Sequence, residues 1–415
     1  MTAPLMQARG TYALTTRCVF RKLLLTPHTP LLHEGIGYAM ARAARKTGVL
    51  VNHVSIVPNH MHNVVTSTRR NLPIFKRLFV GEASKFIKAY LEAHGFEAPE
   101  NVFTRTHQMR LVNAAAQLVY LHYEDIQPVK DGLVEKVAEY PGFTTDPWML
   151  KGHAIEFRRP DLHFDPDTNP DVEALKLGTT PRLAGEMGTQ RAVVHLEQAR
   201  RGAERAYREE RSYPVLGAER LTVQHPWAEP ASPRKRRRGV IPSFRVVVDD
   251  TALEVHCAKE TRGFRGRHRE ALEKLRAGDR DVVFPAGSYL VSACYGLDVE
   301  EPDGDCVLAA DDTFEDMPER VSDEELRAIS ASLRSLSTAV DTEDSLAERV
   351  REGAADSTGQ RDARKVQVEV SEEQPAEKLV PLRGRGERAR VEDADPNETE
   401  HAHEPDRPPD EPGDK

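Results

Sequence analysis

Two runs rich in β-branched residues, at 49–57 and 60–67, are separated only by Pro58-Asn59. A connection that short, made of turn-forming residues, returns the second run antiparallel to the first. The chain must therefore build part of its core on a β-hairpin. Residues 11–20 are rich in β-branched and aromatic side chains and predict another strand. Helical patterns lie between these runs. Leu32, Ile36, Met40 and Ala43 recur at helical spacing within 31–47, before Gly48. Asn71 and Pro73 open a second helix marked by Phe75, Leu78, Phe79, Phe86 and Tyr90. A third helix is predicted from Leu111 to about Ile126, stopped by Pro128. The expected class is α+β, a small antiparallel sheet flanked by helices, over residues 10–146.

The remaining chain differs in chemistry. Residues 1–150 carry 17 basic and 11 acidic side chains, whereas 301–415 carry 15 and 33. A basic body with an acidic tail is compatible with a polyanionic partner for the body. From about residue 301 aromatic residues almost vanish, and such a segment buries too little apolar surface to offset its ordering entropy. The tail is expected to be largely disordered, apart from one amphipathic pattern at 322–336. Residues 147–300 form a basic extension. Its 188–211 stretch predicts a helix so charged that little of it packs. Arg234, Lys235, Arg236, Arg237 and Arg238 run consecutively, and Arg265, Arg267 and Arg269 precede a short helical pattern ending at Arg276. Both clusters suit phosphate contacts, as do Lys76, Arg77, Lys85 and Lys88 on the second helix. Residues 282–291 read as one or two strands around Gly287.

Several classes are set aside. No apolar run approaches the length of a membrane span, and residues 1–10 lack the pattern of a secretion signal. Cys18, Cys257, Cys294 and Cys306 are too scattered for a zinc knuckle or a disulfide scaffold, and fit a reducing, cytoplasmic setting. There is no phosphate-binding G-x-x-x-x-G-K-[ST] loop.

Chemistry concentrates at His60 and His62. Two apart on a strand, they share a face and can hold one metal ion. The spacing alone is not specific, since His401 and His403 repeat it in the tail; by itself it reads first as a polar strand edge. A second constellation is Tyr123 and Gln127, four apart on one helix face. A tyrosine hydroxyl held in line can attack a phosphodiester. Gln127 can add an oxygen ligand to the imidazoles, a set that suits Mg²⁺ or Mn²⁺. Taken alone, Tyr123 also continues an apolar stripe with Val112, Ala116 and Val119, which reads as core.

Together, Pro58-Asn59-His60-Met61-His62-Asn63-Val64-Val65 and Tyr123, followed by Gln127-Pro128-Val129-Lys130-Asp131-Gly132-Leu133-Val134, resemble the single-tyrosine HUH transposases. The nearest branch is the REP-associated tyrosine transposases, with P-N-H-x-H then Y-x-x-x-N-P-V-x-x-G-L-V. The resemblance covers about a third of the chain, residues 10–145. It implies a ferredoxin-like or RRM-like sheet with the histidines on a central strand. It also implies metal-dependent nicking and rejoining of single-stranded, hairpin-bearing DNA through a 5′-phosphotyrosine. Residue by residue, His60 and His62 would bind metal, Tyr123 would be the nucleophile and Gln127 the third ligand.

The departures are Gln127 where the family has Asn, Asn63 where it has an apolar residue, and Glu124 and Asp125 beside the nucleophile. Two negative charges there oppose a phosphate unless one joins the metal shell. Tyr120 is a rival nucleophile one turn earlier. A DNA-binding protein that kept the fold and lost turnover is the alternative reading, and monomer and homodimer both stay open.

Overall fold

The computed structural model describes residues 4–230, 242–247 and 251–301. The basic run Arg234 to Arg238 and the acidic tail, including the helical pattern expected at 322–336, lie outside the described residues. The N-terminal part runs β1 (Gly10–Arg17), α1 (Pro30–Thr47), β2 (Leu50–Val57), β3 (His60–Ser67), α2 (Leu72–Ala93), β4 (His107–Leu111), α3 (Ala114–Asp125) and α4 (Gln127–Lys130). Then follow β5 (Lys151–Arg158), β6 (Val172–Gly178), α5 (Pro181–Met187), α6 (Thr189–Glu210), α7 (Ala218–Thr222), β7 (Phe244–Arg245), α8 (Thr251–Arg276) and α9 (Tyr289–Tyr295).

The architecture is α+β, as expected. The expected antiparallel sheet is its centre, in the order β2-β3-β1-β4. β2 and β3 form the hairpin, with Val57 opposite His60 and Ser55 opposite His62. The sheet is wider than expected. Among the described residues it has seven strands, because the β5–β6 hairpin joins β2 in parallel and β7 joins β4 in parallel.

Helix α1 starts on Pro30, whose missing N–H costs nothing at that position, and stops on Gly48 at φ 69°, whose N–H reaches the Ala44 carbonyl at 2.7 Å. Two glycines let α1 approach its neighbours closely. A Cβ on Gly35 would meet the Phe86 ring of α2 at 2.1 Å, and one on Gly37 would meet Phe157 of β5 at 2.2 Å. The buried core between α1, α2 and the sheet includes Tyr12, Leu14, Ile36, Met40, Met61, Val65, Phe75 and Phe79.

Two expectations are corrected. The segment before Asn113 is strand β4, and the third helix begins at Ala114, where Asn113 Oδ1 accepts the Ala116 N–H at 3.0 Å. The stretch around Gly287 is no strand pair. Phe284 makes a single bridge to Val299, Gly287 turns the chain at φ 98°, and α9 follows. Helix α6, as expected from its charge, buries little, namely Ala192, Val193 and Leu196.

Candidate active site

The hairpin turn sets the site. β3 begins immediately after Asn59, so His60 and His62 project from the start of a strand lying between β1 and β2. Thr15 on β1 and Ser55 on β2 flank His62 in register. The two imidazole centres are 4.6 Å apart and nearly perpendicular. His60 Nδ1 donates to Asn59 Oδ1 at 2.5 Å, which leaves the lone pair on Nε2. His62 Nδ1 faces Thr15 Oγ1 at 3.4 Å and Glu124 Oε1 at 3.8 Å. Burial pushes the His62 pKa well below the ordinary imidazole range, and the positive charges of His60 and Lys130 add to it. His62 is therefore neutral, the form that ligates metal.

Helix α3 brings the tyrosine. Tyr123 is 39% exposed and its ring centre lies 6.1 Å from that of His62. It is not a core residue, and Val119, one turn earlier, is exposed as well. Tyr120 is less accessible, with its hydroxyl directed at Met109 Sδ at 3.7 Å and its pKa raised by burial. The tyrosine rings are 5.8 Å apart.

The helix breaks at Ile126, and Gln127 opens α4. Gln127 Nε2 donates to the Tyr123 carbonyl at 2.8 Å, while its Oε1 faces Lys130 Nζ at 3.5 Å. Lys130 Nζ also sits 3.9 Å from the Tyr123 ring centre. The carboxamide thus joins tyrosine and lysine, and Gln127 is buried.

Glu124 and Asp125 behave differently from each other. Glu124 is buried, one of its oxygens has no hydrogen-bond partner among the described residues, and burial raises its pKa well above the carboxylate range. Burial thus works against a negative charge on Glu124 beside Tyr123. Asp125 is held by Arg200 of α6, whose Nε donates to Oδ2 at 2.7 Å and whose Nη2 reaches Oδ1. Arg200 also pairs with Asp146 at 3.1 Å. Sequence reasoning missed Arg200, because its two carboxylates are far away along the chain. It also gave no role to Lys130, although that residue lies in the motif.

A divalent cation has partial support in this donor set. Two imidazoles share one face, and Glu124, whose Oε1 lies 3.8 Å from His62 Nδ1, keeps its other oxygen without a hydrogen-bond partner among the described residues. No three His, Cys, Asp or Glu side chains form a ready-made ligand cluster among the described residues.

The basic candidates separate. Lys76 is turned inward onto Gln108 Oε1 at 2.6 Å, and burial lowers its pKa to about 8. Arg77 donates to Cys294 Sγ at 3.3 Å and Lys88 to the Glu100 carbonyl. Lys85 is exposed. Arg267 pairs with Glu300 at 3.1 Å. Arg265 and Arg269 line a cleft with Arg245 and Arg262. Cys18, Cys257 and Cys294 are unbridged. Among the described residues no helix is long and apolar enough to cross a membrane.

Comparison with solved structures finds similarity to transposases. A REP-associated tyrosine transposase bound to a REP hairpin is 23% identical, with a TM-score of 0.28 over 34% of this chain and 78% of that one. A candidate transposase from Deinococcus radiodurans is 13% identical, with a TM-score of 0.22 over 28% of this chain and 91% of that one. No family model matches the sequence, and no curated protein matches it.

Proposed function

We propose that this protein nicks and rejoins single-stranded, hairpin-bearing DNA through a covalent link to Tyr123. The observation that carries this reading is the convergence of an exposed tyrosine on a histidine pair, 6.1 Å from His62, in a chain whose two motifs occur in the order of the resembled family.

The Tyr123 hydroxyl oxygen attacks the phosphorus. An O–P bond forms, the bond from phosphorus to the 3′ oxygen breaks, and the hydroxyl proton passes to solvent or a nearby base. The departing oxygen takes up a proton to become a 3′ hydroxyl, while the 5′ phosphate stays on Tyr123. Attack by a 3′ hydroxyl on this phosphotyrosine reverses the sequence, so joining needs no ATP. His60 and His62 would hold Mg²⁺ or Mn²⁺, with Glu124 or Gln127 as the oxygen donor. Such an ion polarises the phosphate oxygens. Lys130 contributes a fixed positive charge where negative charge accumulates. Gln127 holds the end of α3 through the Tyr123 carbonyl.

The test is covalent capture of labelled stem-loop DNAs in Mn²⁺ or Mg²⁺ on a denaturing gel, with Mn²⁺ binding measured separately. An adduct lost in Tyr123→Phe and His60→Ala, but kept in Tyr120→Phe, is the expected result. No adduct on any substrate, with salt-sensitive DNA binding intact, would leave a DNA-binding protein without turnover.

A further inference from the structure

The cleft between β7 and α8 is separate from the tyrosine and histidine cluster. Its volume is about 650 Å³ and its lining includes Arg245, Arg262, Arg265, Arg269, Phe244 and Glu254. Arg262, Arg265 and Arg269 follow an i, i+3, i+7 pattern, so α8 presents them on one face along about 10 Å of its axis. Arg245 stands on the opposing strand wall. That wall is fixed to the sheet, because the Arg245 carbonyl accepts the Val112 N–H at 3.0 Å and Arg245 pairs in register with Leu111.

Four guanidinium groups face one carboxylate there, and none of the four has an ion-pair partner among the described residues. Arg265 also buries its Nε without a hydrogen-bond partner. Glu260, on the same helix, is drawn away from this face. It pairs with the buried Arg110 at 2.7 Å and accepts from Gln7 at 3.3 Å.

We infer that this cleft binds the phosphate backbone of the DNA substrate, outside the cleavage site. A row of arginines about 10 Å long outreaches any single phosphate, so one free phosphate would leave most of it unused, whereas successive phosphates of a strand would engage its length. Phe244 adds a partly exposed ring on which a base can stack. Arg245 lies close enough to act electrostatically on Tyr120, whose ring neighbours Tyr123.

This inference rests on the DNA-processing reading, and its test separates the two. Affinity of the full chain for a labelled stem-loop DNA with a single-stranded flank is measured by anisotropy across a salt series. The substitutions are Arg262→Gln with Arg269→Gln, and separately Arg245→Gln on the other wall. The control, Arg201→Gln with Arg205→Gln, makes the same charge change on α6. The double groove variant should bind about tenfold more weakly. Its log–log salt slope should shrink by about 1.4 to 1.8, since each phosphate that a protein cation neutralises adds about 0.7 to 0.9. Arg245→Gln should act in the same direction and the control should match wild type. Unchanged slopes in both groove variants, or an equal weakening in the control, would overturn the cleft as a site. Adduct formation by the wild-type chain is scored independently: its absence defeats the nicking reading while leaving a positive groove result standing.

Discussion

Lys130 Nζ stands 3.9 Å from the centre of the Tyr123 ring, one turn of backbone beyond the break that ends α3. The contact places a cation against the proposed nucleophile, where the attacked phosphate must also sit. We expect Lys130→Gln to slow covalent capture by about tenfold or more, about 1.4 kcal/mol of barrier, and Lys130→Arg to retain most of the rate. Single-turnover capture measures this. An undiminished rate in Lys130→Gln would reduce the lysine to packing.

Arg200 ties α6 to the helix that carries Tyr123. It joins Asp125, nearly fully buried, with Asp146, and donates to the Thr145 carbonyl at 3.3 Å. Removing one partner of such a pair leaves a buried charge uncompensated, at a cost of about 3–5 kcal/mol. Arg200→Met should lose that much in urea unfolding, and adding Asp125→Leu should recover most of it. A loss in Arg200→Met below about 1 kcal/mol would mean that the bridge does not anchor α3.

Asn63 is buried on β3, and neither its amide nitrogen nor its oxygen has a hydrogen-bond partner among the described residues. It stands opposite Leu14 and Val54, two apolar residues of the neighbouring strands. An unsatisfied buried amide costs about 1–3 kcal/mol. Asn63→Val, which also suits a strand, should raise the unfolding free energy by about 1–3 kcal/mol. A less stable variant would show that the amide has a partner in solution.

The hairpin, α1, α2 and the histidine face were legible because their signals are local: a two-residue turn, a 3.6-residue period, and spacing along a single strand. The outer strands were not. β6 does alternate, but one of its inward positions is Glu173, buried against Arg45 through two hydrogen bonds of 2.7 and 2.8 Å. A charge in a buried position disguises a period of two, and Arg45 lies far away on α1. β5 buries only Phe157, against Gly37, so nothing in its own composition announces a strand. At the site, the residues two apart and four apart were readable. The burial that raises the Glu124 pKa is not displayed in the sequence.

His33 gives a pH dependence with a definite sign. Its Nε2 donates to the Leu25 carbonyl at 2.8 Å and its Nδ1 accepts the Phe143 N–H at 2.8 Å, so both ring nitrogens are committed in the neutral form. Burial, as the largest cause, lowers its pKa to about 4 from the ordinary 6.5. Between these values the unfolded chain binds a proton that the folded chain refuses. The stabilisation is therefore complete above pH 6.5 and is lost progressively as pH falls toward 4. Protonation at Nδ1 would also turn the Phe143 contact from a hydrogen bond into a clash of two donors, releasing the segment that follows Tyr140 and Gly142. His33→Gln should be less stable at neutral pH, yet lose less on acidification from pH 6.5 to 4 than wild type does. Urea unfolding of both proteins across that range tests this; parallel curves would assign the acid sensitivity to other groups.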